Sequence, residues 1–403
     1  VLEPARTAVV SGASIAGLSA AYWLQRTGWR VTVLERAAAF RDGGQNVDVR
    51  GVARDVLAEM GLVEAVRARN TTETGTVLVD ERGRVTAELP SDGPDGATAE
   101  LEVLRGDLAR TLLEALSPEV DVRYGQSVAD VLDDTGPLVV TTTTGDRLPA
   151  DLLVVAEGVR STTRDRVFAG RVERRELGVT MAFGTIARTA TDDDRWRWLT
   201  TTGGRQVHLR PDPHGTTRAI LAARSDVLPG LVDLPRPRAQ QRLREVFADA
   251  GWEAPRVLDG FETSDDVYVD DLTQIRMATW HTGRVVLVGD AAWCVTPMGG
   301  GGASLALVGG YVLAAHLSTA DSTSTALDRY GEWMRPLVDD VQGLPRGIVD
   351  VAYPRTRLGV STRRVLDRAL TSRPLRPLIA RITRVATTDQ DLPAIEVARP
   401  AAT

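Results

Sequence analysis

The chain begins with a run of small and β-branched residues, Thr7 to Ser11. The run is apolar without a helical period and reads as a buried strand. A turn follows, Gly12-Ala13-Ser14-Ile15-Ala16-Gly17, and then apolar Leu18, Ala21 and Leu24 recur at helical spacing up to Gly28, the expected stop. "RVTVLE" predicts a second strand ending at Glu35. The pattern then changes. Residues 40–62 read as a glycine-rich loop and a helix with Ala53, Val56, Leu57 and Met60 apolar, and residues 74–89 alternate as two strands about a turn near Glu81-Arg82-Gly83. A parallel α/β beginning interrupted by antiparallel β predicts a second domain inserted in the first.

Later segments continue both patterns. Residues 102–116 read as a strand end, Arg105, and a helix capped by Asp107. Residues 151–158 are a buried strand, and 171–280 are mostly β around one amphipathic helix at 238–252. The run "RVVLVG" is another buried strand, ending in Gly289-Asp290, and 303–317 is an apolar helix. Residues 325–385 read as helical with proline breaks. The expected fold is α/β, with a Rossmann-like dinucleotide domain from 1–70, 101–170 and 281–325. A mostly antiparallel β substrate domain comes from 71–100 and 171–280, and C-terminal helices and a tail from 326–403.

A length of 403 residues suits two domains. The net charge of −6 gives a nucleic-acid role no electrostatic support, so no nucleic-acid partner is expected. Cys294 is the sole cysteine, so no disulfide forms within the chain; with no CxxC or HExxH and four scattered histidines, no metal site is expected. All 48 basic residues are arginine, which excludes Schiff-base and P-loop lysine chemistry. The 303–317 run is uncharged but shorter than the ~20 residues of a membrane span, so a buried helix is expected and no membrane partner. No signal peptide precedes the first strand, and a cytoplasmic enzyme is the expectation.

The first βαβ unit has the physics of a dinucleotide site. Gly12 permits a tight turn, Gly17 lets helix and strand approach, and the helix N-terminus offers free N–H groups to a pyrophosphate. Ser14 stands where a middle glycine would be and is small enough for backbone approach. Glu35, at the end of the second strand, can accept from ribose hydroxyls.

The order and spacing of these signals, with "DLLVVAEGVRS" and "VVLVGDAAWCVTPMGGGGAS", resemble the class A flavoprotein monooxygenases of para-hydroxybenzoate hydroxylase-like fold. The resemblance runs from about residue 7 to 340. Within the class, "GGQNVDVRG" (43–51) and "RGDLARTLL" look most like segments of tetracycline-inactivating monooxygenases and aromatic polyketide hydroxylases. It implies that Gly12, Ala13, Ser14, Ile15, Ala16 and Gly17 hold the pyrophosphate of FAD, Glu35 the ribose and Arg36 the adenosine side. Gln45 and Asp48 would lie by the flavin and Arg105 by the FAD chain. Glu157-Gly158 stands for the family's DG motif, which serves FAD and NADPH, and is one methylene longer. Gly289 and Asp290 would hold the ribityl or phosphate groups, and Pro297, Gly299, Gly300, Gly301, Gly302 and Ala303 would lie along the isoalloxazine. Trp293-Cys294 replaces a histidine common in relatives, and no proton-transfer role is expected there.

The single dinucleotide unit fits a transient reductant, NADPH or NADH. The implied reaction is hydroxylation of an aromatic or polyketide-like small molecule with O2, through a flavin C4a-hydroperoxide. The chemistry is then the flavin's, with no dedicated catalytic side chain. Baeyer–Villiger or epoxidising oxygenation on the same fold, and a non-catalytic flavin-binding protein, stay open. Arg50, Trp198, His208 and Arg210 are substrate candidates. Alternation places Val207 and Leu209 on one sheet face and His208 and Arg210 on the other; either could line the pocket, though a solvated surface pair is the plainer reading of His208 and Arg210. Trp196 and Trp198 share a face, for stacking on a flat substrate or for core packing. Monomer and homodimer stay open.

Overall fold

The computed structural model describes residues 5–71, 73–90, 101–133, 136–371, 388 and 390–398. The parts of the expected divisions at 1–4, 91–100, 372–387 and 399–403 lie outside the described residues.

A six-stranded sheet carries the N-terminal unit. Its order is His281–Thr282, Val285–Leu287, Leu152–Val155, Thr7–Ser11, Arg30–Glu35 and Asp121–Tyr124. All neighbours are parallel except the outermost pair, His281–Thr282 with Val285–Leu287. The first strand sits centrally, Val9 opposite Leu153 on one side and Thr32 on the other. Its residues Ala8 to Ser11 are buried because helices cover the sheet.

Two of those helices, Ile15–Arg26 and Gly302–Thr319, lie against each other. A Cβ on Gly310 would stand 2.6 Å from the Ala20 nitrogen, so only glycine allows this approach. Ser19 Oγ donates to the Leu307 carbonyl at 2.8 Å, and Trp23 meets Tyr311 edge-on at 4.9 Å. The Gly302–Thr319 helix is long and apolar enough to cross a membrane, but 78% of it is buried within the protein. The buried-helix expectation fits this packing.

A second, seven-stranded sheet has the order Tyr268–Arg276, Glu173–Ala187, Thr216–Arg224, Arg205–Pro211, Trp196–Thr201, Gly75–Val79, Val85–Pro90. All of its pairs are antiparallel except Trp196–Thr201 with Gly75–Val79. One face packs Leu199, Val207, Leu209 and Leu221 against helices Arg236–Phe247 and Ala254–Thr263. The second of these helices is not evident in the sequence pattern. The other face carries Met181, Phe183 and Ile220, and Met298 of the glycine-rich loop packs there. This face therefore looks toward the loops at the edge of the first sheet.

A short ribbon, Asn46–Asp48 paired with Glu102–Leu104, lies between the two layers. A three-stranded sheet of Val128–Leu132, Leu138–Thr142 and Arg147–Ala150, which the sequence reading did not resolve, flanks the first sheet. Helices Thr323–Gln342, Ile348–Ala352 and Arg357–Leu370 complete the described C-terminal part.

Candidate functional site

The loops after three adjacent parallel strands meet at one place, where open α/β sheets bind ligands. The first is the Gly12–Gly17 turn. Gly12 has φ +110°, and a Cβ there would lie 2.4 Å from the Ala156 carbonyl oxygen. A Cβ on Gly17 would lie 1.9 Å from the Gly12 oxygen. Both glycines are fixed by backbone proximity. The first helical bond runs from Leu18 N–H to the Ser14 carbonyl at 2.9 Å, so the N–H groups of Ile15, Ala16 and Gly17 find no partner among the described residues. They are available to an anion. Glu35 accepts from Ala13 N–H at 3.0 Å and from Ala37 N–H at 2.8 Å, one bond to each carboxylate oxygen. Each oxygen keeps a lone pair, as a ribose diol requires. Arg36 is exposed beside it.

Arg105 closes this end. Its Nη2 donates to Ser14 Oγ at 3.0 Å, and its backbone N–H donates to the Gln45 carbonyl at 2.9 Å. The 42–45 loop lies flat on the start of the Arg105–Glu114 helix, because a Cβ on Gly106 would stand 2.0 Å from the Asp42 oxygen. Asp107 does not cap this helix, contrary to the expectation. The helix begins two residues earlier, at Arg105, with Leu104 as an uncapped N-cap. Asp107 instead lies 3.0 Å from His214 Nε2 through its Oδ2.

Asp290 arrives from the Val285–Leu287 strand through Gly289, whose φ of +59° leaves a Cβ only 2.6 Å from Ala16 Cβ. The acid thus sits against the start of the first helix. Water reaches it and it has no hydrogen-bond partner among the described residues. Protein crowds its other sides, and this desolvation raises its carboxyl, with Arg105 opposing. A half-desolvated acceptor beside a helix N-terminus whose N–H groups are available fits a hydroxyl-bearing linker followed by a pyrophosphate.

The glycine-rich loop continues the wall. Pro297 lies in a helical turn, Thr296–Gly299, and is exposed. Gly300 and Gly301 have φ of +68° and +67°, and a Cβ on Gly299 would stand 2.8 Å from the Val341 oxygen. Three of the four glycines are accounted for in this way; Gly302 and Ala303 open the next helix. Ser304 Oγ then donates to the Asp48 carbonyl and accepts from Arg50 N–H, both at 3.0 Å. Asp48 and Arg50 pair at 3.0 Å on the same wall.

Several expected residues are differently engaged. Glu157 turns into the protein: it accepts from Ser11 Oγ at 2.6 Å, Thr163 Oγ1 at 2.6 Å, Ser161 Oγ at 2.7 Å and Thr163 N–H at 3.1 Å. Its longer side chain reaches the start of the Thr162–Val167 helix, while Gly158 turns the chain with φ +79°. Trp293 also points inward, 1% exposed, against Trp280 at 4.7 Å and Tyr330 at 6.1 Å. Arg210 is no free substrate ligand, since both of its sides are taken by carboxylates.

His208 and Arg210 are not a solvated pair: they lie on the cleft-facing side of the second sheet, the other side being covered by helices. His208 is 4% exposed and stacks on Trp198 at 4.5 Å. The strand registers join Trp198, His208, Ile220, Phe183 and Tyr268 into one row across this face. Tyr268 ends the row. It stacks on Phe183 at 4.8 Å, is 41% exposed, and has Arg105 in its electrostatic surroundings. Phe183 and Tyr268 escaped the sequence reading; only the register across three strands brings them to the cleft. Buried Arg164, which donates to the Val159 and Ala291 carbonyls at 2.9 and 3.2 Å, also escaped it. A shallow depression of about 410 Å³ between Gly203 and Arg355 shares no residue with the cleft.

A pyrophosphate-sized cradle, a ribose acceptor and a polar wall under an aromatic-bearing sheet define a flavoprotein oxidoreductase. The chain belongs to the FAD binding domain family, which it matches over residues 5–342, and it is a flavin-dependent monooxygenase of class A. It is 36% identical to an uncharacterized protein of Mycobacterium tuberculosis, over 78% of this chain and 86% of that one. It is 32% identical to the flavin-dependent monooxygenase eupH of a Phoma species, over 88% and 89%. The structure of the tetracycline destructase Tet(51) superposes with a TM-score of 0.80 at 27% identity, covering 96% of this chain and all of that one.

Proposed function

We propose that this enzyme uses NAD(P)H and O2 to hydroxylate a flat aromatic or polyketide-like small molecule. It would work in the cytoplasm, where reduced nicotinamide is supplied. The observation that carries the reading is the composition of one cleft: Asp290, Arg105 and the open helix N-terminus lie at one side, and the Phe183–Tyr268 stack roofs the other.

The N–H groups of Ile15 to Gly17 would hold the FAD pyrophosphate, with Arg105 adding charge. Glu35 would accept from the ribose, with Arg36 on the adenosine side, and Asp290 from the ribityl chain. Gln45, Asp48, Pro297 and the glycine loop would flank the ring. Bound FAD supplies the electron transfer and oxygen activation. The protein's part is to bind, orient and exclude water, and this fits the absence of a catalytic triad among the described residues. The exposed Tyr268 ring gives a planar substrate a stacking face.

The test is purification with FAD, followed by NADPH oxidation with and without polyphenolic candidates under isotopically labelled dioxygen. Substrate-stimulated oxidation and one labelled oxygen in the product are expected. A ring-inserted oxygen would move the reading to Baeyer–Villiger chemistry. Protein that stays colourless after FAD is added would overturn it.

A further inference from the structure

Beside the Asn46–Asp48 strand lies a buried cluster with unequal charge. Arg210 Nε donates to Glu73 Oε2 at 2.9 Å, and its Nη2 lies 2.8 Å from Glu102 Oε1. The side chains of Glu73 and Glu102 are 0% and 2% exposed, and that of Arg210 12%. Glu102 Oε1 also accepts from Asn46 Nδ2 at 2.6 Å and Thr71 Oγ1 at 3.0 Å. The guanidinium lies over the Trp196 ring, 4.2 Å from its centre.

Among the described residues, few other ionisable groups face the cluster. Asp48 stands opposite Glu102 in the ribbon and is paired with Arg50. His208, two residues along the strand from Arg210, is pushed down to about 3, by burial first and then by Arg210, and so is neutral. One guanidinium therefore serves two enclosed carboxylates. Glu73 Oε1 and Glu102 Oε2 are both buried without a donor among the described residues. An unmatched buried anion is strongly disfavoured, and a proton on one carboxyl removes it.

The ribbon so held is a wall of the cleft. Arg105 N–H grips the Gln45 carbonyl at its start, and Ser304 Oγ grips the Asp48 carbonyl at its end. We propose that Arg210 is a positioning residue that clamps this ribbon to the substrate sheet by bridging Glu102 and a neutral, protonated Glu73, and that ionisation of Glu73 sets a second, unmatched anion beside Glu102, whose repulsion loosens the ribbon. The functional consequence rests on the flavin reading of the cleft; the protonation does not.

The titration agrees with the geometry. Burial pushes Glu73 up to about 8, Arg210 opposes it, and Glu102 and Asp48 add to it. Folded protein keeps this proton across the window from the ordinary carboxylate range up to about 8, where the unfolded chain has released it. Stability from this site therefore falls as pH rises through that window and is flat above it.

The experiment follows the FAD-loaded and FAD-free protein from about pH 6 to pH 9.5, spanning the titration, by infrared difference spectroscopy and by FAD fluorescence titration. In the wild type, a protonated-carboxyl band should disappear near the Glu73 transition and the FAD dissociation constant should rise several-fold with it. Glu73→Gln, isosteric with the neutral acid, should lack both changes and bind FAD within about twofold of wild type at neutral pH, being a mimic of the neutral form. Arg210→Lys keeps the charge without the fork and should weaken FAD binding several-fold at every pH. A band or an affinity step unchanged in Glu73→Gln, or wild-type FAD affinity in Arg210→Lys, overturns the proposal. Protein that binds no FAD at any pH removes the flavin reading, while the infrared arm on FAD-free protein still decides the proton on Glu73.

Discussion

Glu157 offers a direct test of whether its position serves a ligand or the fold. Its carboxylate takes four donors at 2.6, 2.6, 2.7 and 3.1 Å. Glu157→Asp keeps the charge but withdraws the group by about one C–C bond, ~1.5 Å, which stretches the short bonds past any useful length. A hydrogen bond to a charged group contributes about 1.5–3 kcal/mol, and the four share one partly exposed acceptor, so a loss of about 3 kcal/mol is expected. With an unfolding entropy of about 2.1 cal/mol/K per residue, a chain of this length loses roughly 3–4 °C in Tm. Glu157→Gln keeps the length. Its amide can face the Ser11 and Thr163 hydroxyls, which rotate to accept, while its carbonyl keeps Thr163 N–H. Only charge assistance goes, about 1 kcal/mol or ~1 °C. The charge-conserving change is thus the more harmful one. The assay is thermal unfolding of FAD-loaded protein beside KM for NADPH. An Asp variant that melts with the wild type while its KM rises about tenfold, a shift of about 1.4 kcal/mol in binding, would refute the inward role.

Three further outcomes are expected from the same site. Gly17→Ala places a Cβ 1.9 Å from the Gly12 oxygen, so the helix must back away and purified protein should carry no FAD, read from visible absorbance. Asp290→Asn removes a charged acceptor and should weaken FAD binding roughly tenfold or more, measured by flavin fluorescence. Trp293→Phe removes no hydrogen bond among the described residues, where its indole nitrogen has no partner; it should cost about 1–2 kcal/mol through lost packing and leave FAD affinity unchanged in the same titration.

The legible parts of the site are those where chemistry and chain position coincide. Gly12 and Gly17 are required by contacts within the first βαβ unit, and Glu35 and Asp290 stand where strands end, so local pattern finds them. What stayed hidden depends on distant chain. Alternation told which of Val207 and His208 share a face with their neighbours. It could not tell which face the Ala254–Thr263 helix would cover, since that helix lies some fifty residues on. Tyr268 reaches the cleft only through register across three other strands. Asp107 has the composition of a cap, but the preceding strand ends at Leu104 and runs straight into the helix at Arg105, two residues before it. Glu157 resembled a motif acid by position, and its extra methylene was spent on hydroxyls from a neighbouring strand and helix.

The strand order of the first sheet also sets a timetable. The opening strand needs Leu152–Val155 as a neighbour, and that strand needs Val285–Leu287. At ribosomal rates of about 5–20 residues per second, the first strand waits roughly 15–55 s before the sheet's full set of parallel partners has been made. Until each partner arrives the growing edge is unpaired and open to other chains, first that of Thr7–Ser11 and then that of Leu152–Val155. Yield of folded protein should therefore depend on how quickly the ribosome reaches Val285 and on chaperones that hold the nascent N-terminal unit.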